Sequence, residues 1–67
     1  TYNERKEYEK LEKEIENLEY DKKVLETAFT KADMPYDDLA DMSARIGTVI
    51  EQIEEKTARW LELSEYL

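Results

Sequence analysis

The chain has 67 residues, of which 42% are charged and 40% hydrophobic, with one Gly, one Pro, no Cys, no His and a net charge of −8. Without Cys or His there is no disulfide, no thiolate metal site and no histidine base or ligand, and a single Gly cannot form a glycine-rich phosphate loop. So acidic a balance repels nucleic-acid phosphates and anionic membranes unless the few basic groups cluster.

No run of apolar residues is long enough for a transmembrane span. There is no signal-peptide pattern, and the chain opens without Met in the charged segment TYNERKEYEKLEKEIE. It reads as a piece of a longer protein, a single domain over residues 1–67. Rich in Glu, Lys and Leu, it has the composition of long helices or a coiled coil. Residues 1–31 carry a balance of −2 and residues 32–67 a balance of −6.

The first element is expected over about residues 3–31. Tyr8, Leu11, Ile15, Leu18, Lys22, Leu25 and Phe29 alternate steps of three and four. That is a heptad seam, with its core positions (a and d) repeating every 3.5 residues on average. Pairs such as Glu9–Lys13 and Glu19–Lys23 can support the helix at i,i+4.

An acidic link over 32–37 follows. Pro35 drives Met34 out of the helical region and ends the first helix near residue 31. The link is short, so the next helix must run back antiparallel. Asp37 or Asp38 is the expected N-cap, and acids at 37, 38 and 41 suit the positive end of the helix dipole. Capping accounts for the Asp33, Asp37, Asp38 and Asp41 cluster better than a cation does, because the pattern of a calcium loop is missing.

The second helix is expected over about 38–66. Leu39, Met42, Ile46, Val49, Ile53, Lys56, Trp60, Leu63 and Leu67 repeat the seam. Facing positions should sum to about 68, which puts Tyr8 against Trp60 and Ile15 against Ile53. Lys22 and Lys56 are the two polar seam residues, each expected to lay its stem on the seam and send its ammonium to water. Gly47 falls off the seam, as a weak point or a place for close approach. The fold class is therefore all-α, an antiparallel two-helix coiled-coil hairpin. A monomer is expected, with a dimer that doubles the core as the alternative.

No enzyme is expected of this fragment. Carboxylates abound, but a two-helix hairpin has no pocket to shift the pKa of one of them, and Ser43 and Ser64 have no base. The informative cluster is basic. Arg5, Lys6, Lys10 and Lys13 share the open end of the hairpin with Lys56 and Arg59, interleaved with Tyr2, Tyr8, Trp60 and Tyr66. Basic groups among aromatics suit contacts to phosphates and bases. Many glutamates share that end, so a salt-bridged solvated face is the competing reading. Off-seam Tyr20, Val24, Ile50 and Leu61 are the candidates for a protein-binding surface.

The two ends of the chain carry a family likeness. Tyr2, Glu4, Leu11, Glu12, Ile15, Leu18 and Glu19 at the start, and Arg59, Trp60, Glu62 and Leu63 at the end, resemble the C-terminal coiled-coil domain of Uup-like ABC-F ATPases. The resemblance implies a cytoplasmic, ribosome-associated parent without membrane spans. ATP and Mg would belong to the parent's two cassettes, with no cofactor in this fragment. It also implies an accessory tail that binds DNA or ribosomal RNA, weakly when isolated, or that packs on the parent's cassettes as a structural arm.

Overall fold

Helix α1 spans Tyr2–Lys31 and helix α2 spans Tyr36–Ser64 in the computed structural model, which describes residues 1–31 and 33–67. Ala32, part of the expected link, lies outside the described residues. Among those residues there is no strand, and the two helices pack along one another as a hairpin with Cα extents of 50 × 15 × 14 Å.

Helix α1 has no Gly or Pro inside it, and its straight-chain Glu, Lys and Leu residues lose little rotamer freedom on becoming helical. Its start is a reciprocal cap. Thr1 Oγ1 accepts the Glu4 N–H at 3.2 Å, while the Thr1 nitrogen donates to Glu4 Oε1 at 2.9 Å. This is a Thr-x-x-Glu capping box.

The start of α2 differs from the expectation. Neither Asp37 nor Asp38 caps it; Pro35 is the N-cap, with φ −57° and ψ 154°, and no side chain bonds the first turn. The Pro35 carbonyl accepts the N–H groups of Asp38 and Leu39, both at 3.1 Å. Its ring already holds φ near the helical value, so the helix begins earlier, at Tyr36. Asp37 and Asp38 fall inside the first turn, where their charges still favour the dipole. At the other end Ser64 Oγ donates to the Leu61 carbonyl, and the N–H groups of Glu65 and Tyr66 turn back to Glu62 and Leu63. The helix therefore stops at Ser64, short of residue 66.

The core sits toward the open end. Leu63 is fully buried and Leu11 nearly so. The other seam residues are half-buried, except that Phe29 and Leu67 are exposed where the seam runs out at its two ends. Tyr8 stacks on Trp60 with ring centroids 5.3 Å apart and planes 16° apart, at the expected register. Gly47 has no positive φ, and a Cβ built on it meets nothing within 4 Å.

Candidate nucleic-acid interface

The six basic candidates divide into two groups. Arg59 lies on the edge of α2 that faces α1. Its Nε–H and Nη2–H donate to both oxygens of Glu7 at 2.8 and 2.9 Å, and Nη1–H donates to Glu62 at 2.9 Å. This planar fork ties one helix to the other and to its own next turn. The hydrogen bonds from Arg59 hold the Glu7 carboxyl below the usual carboxylate range, and the two carboxylates push the Arg59 guanidinium upward.

Lys56 lays its stem on the seam, as expected, but its ammonium does not end in water. Nζ reaches Glu14 Oε2 at 3.3 Å across the hairpin. Glu14 flanks the seam on the facing helix, within the reach of a lysine stem. Lys56 and Arg59 are therefore committed to cross-helix ion pairs, and Trp60 is committed to its stack with Tyr8. Trp60 Nε1 is buried without a hydrogen-bond partner, so the indole closes the core rather than presenting a face for a base.

Arg5, Lys6, Lys10 and Lys13 are exposed on α1. None of them belongs to an ion pair among the described residues. Lys6 Nζ lies 5.6 Å above the centroid of the Tyr2 ring, a cation–π contact at the surface. Lys6, Lys10 and Lys13 occupy heptad positions c and f of α1, with Asn3, Asn17, Tyr20, Val24, Thr27 and Lys31. All nine are exposed and none is acidic. The nine acids of α1 lie at b, d, e and g, and Glu9 and Glu16, at the outward b position, are exposed beside this stripe. A stripe bordered by acids thus runs along the back of an acidic domain, with three lysines at its open end. That stripe could have been read from the heptad lettering alone; net charge conceals it.

Asp33, Asp37, Asp38 and Asp41 are exposed at the tip, and no metal-holding group of acids converges among the described residues. Of the off-seam apolar residues, Tyr20, Val24 and Leu61 are exposed while Ile50 is half-buried. Among the described residues no helix is long and apolar enough to cross a membrane.

The model of the ABC transporter C-terminal domain family matches residues 1–65. The chain belongs to that family. The expected kinship with the C-terminal domain of ABC-F ATPases therefore holds, and this ABC transporter C-terminal domain is an accessory part of an ABC protein. Searches of curated proteins and of solved structures return no significant match. In this domain Arg59 and Trp60, two of the residues that carried the likeness, hold the hairpin closed at its open end.

Proposed function

We propose that this accessory domain belongs to a Uup-like ABC-F ATPase of the cytoplasm and contributes nucleic-acid contact to it through the outer face of α1. Lys6, Lys10 and Lys13 carry the contact, with Arg5 beside them; Lys56 and Arg59 hold the helices in place. The observation that supports this is the run of exposed lysines at positions c and f, in no ion pair among the described residues, in a chain otherwise dominated by carboxylates.

The stripe has the dimensions of a phosphate contact. Lys6 to Lys13 spans roughly 10 Å of helix rise, over which one DNA strand presents about three phosphates at ~3.4 Å of axis each. Three neutralised phosphates give a salt slope of about −2.7 on duplex DNA and about −2 on single strands. That is a weak, salt-sensitive grip, suited to a domain that adds to the binding of a larger protein. ATP and Mg belong to the parent's cassettes in this reading, and ribosomal RNA is the alternative polymer to DNA.

The test is a salt titration of the chain against duplex DNA, single-stranded DNA and structured RNA, followed by NMR shifts. Shifts centred on residues 5–13 that fade with salt are expected, and reversal of Lys10 and Lys13 to Glu should abolish them. Shifts elsewhere, or binding unchanged by the reversal, would refute the reading.

A further inference from the structure

Along one edge of the hairpin two facing pairs of opposite charge occur, and only one of them closes. On α1 this edge carries Glu7, Glu14 and Asp21 at intervals of seven; on α2 it carries Arg59, Gln52 and Arg45 in reverse. The first pair, Glu7 and Arg59, closes at 2.8 Å. Asp21 and Arg45 hold the equivalent facing positions, yet they form no ion pair among the described residues. Between them an open groove of about 640 Å³ runs over Leu25 and Val49, rimmed by Tyr20 and Val24 on α1 and by Ala44 and Thr48 on α2.

We propose that this groove is the contact face of a homodimer, in which a second copy of the chain docks face to face about a two-fold axis along the hairpin. That symmetry lays α1 of each copy over α2 of the other at equal heights. Facing positions sum to about 68, so Tyr20 comes over the second copy's Thr48 and Val24 over its Ala44. Large side chains on one helix meet small ones on the other, twice. Asp21 meets the second copy's Arg45, also twice, which supplies the pairing each lacks within its own chain. A two-fold axis across the hairpin would instead lay α1 on α1 and bring Asp21 toward Asp21, a like-charge contact.

Tyr20 is 69% exposed and Val24 49% exposed in the single hairpin, so both have apolar surface left to bury. The contact is centred on residues 20–25 and 44–49, and Lys6, Lys10 and Lys13 lie beyond it toward the open end.

Sedimentation equilibrium tests this, on the 67-residue chain without nucleic acid at about 150 mM salt, where exposed charges are screened beyond ~8 Å. The wild type should pass from monomer to dimer below about 1 mM, the range in which weak association is measurable. Asp21→Arg and Arg45→Asp should each raise the dimer Kd by about tenfold or more, and the double exchange should restore it. Tyr20→Ser, at an exposed position, should weaken the dimer while leaving the circular dichroism unchanged. A wild type that stays monomeric throughout would overturn the proposal and leave the groove to a helix of another protein, such as the parent's cassettes. So would a dimer indifferent to both charge reversals.

Discussion

Among the described residues Leu63 is the only large side chain with no accessible surface, whereas Leu61, two residues away on the same helix, is 53% exposed. Leu63→Ala removes three carbons, at about 0.8 kcal/mol each in transfer terms, or roughly 2.4 kcal/mol. The residual cavity adds to this, and measured Leu→Ala losses in cores run from about 2 to 5 kcal/mol. The hairpin is only 15 × 14 Å in cross-section, so neighbours can close part of the hole. We therefore expect a loss of about 2–3 kcal/mol, which is a large share of the ~3–10 kcal/mol available to a chain of this length. Leu61→Ala should stay within about 0.5 kcal/mol. Urea unfolding followed by circular dichroism and by Trp60 fluorescence measures both, and the thermal midpoint of Leu63→Ala should fall by at least about 10 °C. Equal losses at the two positions, or a loss below about 1 kcal/mol at Leu63, would refute the placement of the core.

Gly47→Ala should stabilise the hairpin by about 0.5–1 kcal/mol, because the helix interior gains propensity and the added methyl meets no neighbour within 4 Å; a lower melting temperature would contradict that geometry. Glu7→Gln should destabilise at neutral pH and lose its effect in acid. Arg59 depresses the Glu7 pKa in the folded state, so this stabilisation is present above the ordinary value of 4.5 and lost as pH falls through the lowered one. A gap between wild type and variant that does not narrow below pH 4.5 would exclude the linkage.

Much of the fold was written in the spacing of apolar residues. The alternation of three and four gave both helices, and Pro35 placed the break. The antiparallel sum near 68 put Tyr8 on Trp60 before any coordinates. The start of α2 was not legible in the same way. Asp37 and Asp38 are good caps by residue type, but the fixed φ of Pro35 put the first turn upstream of them. The basic cluster was legible as a cluster and not as two groups. Heptad position says that Lys56 lies on the seam and Arg59 beside it. It does not say which of several glutamates a long flexible side chain will take, and Glu14 and Glu7 became visible as partners only with the packing in place. The free lysines, by contrast, follow from the sequence once the outward positions of α1 are lettered.

Both ends of the hairpin emerge at the end where its strongest contacts lie. A pull that separates them loads the helices as a zipper opened from that end, against the Tyr8–Trp60 stack and the Glu7–Arg59 pair first. Resistance is then greatest at the onset of opening and falls toward the tip, where Phe29 is already exposed. A tail built in this order stays shut under small forces on its ends and gives way abruptly once the first contacts yield.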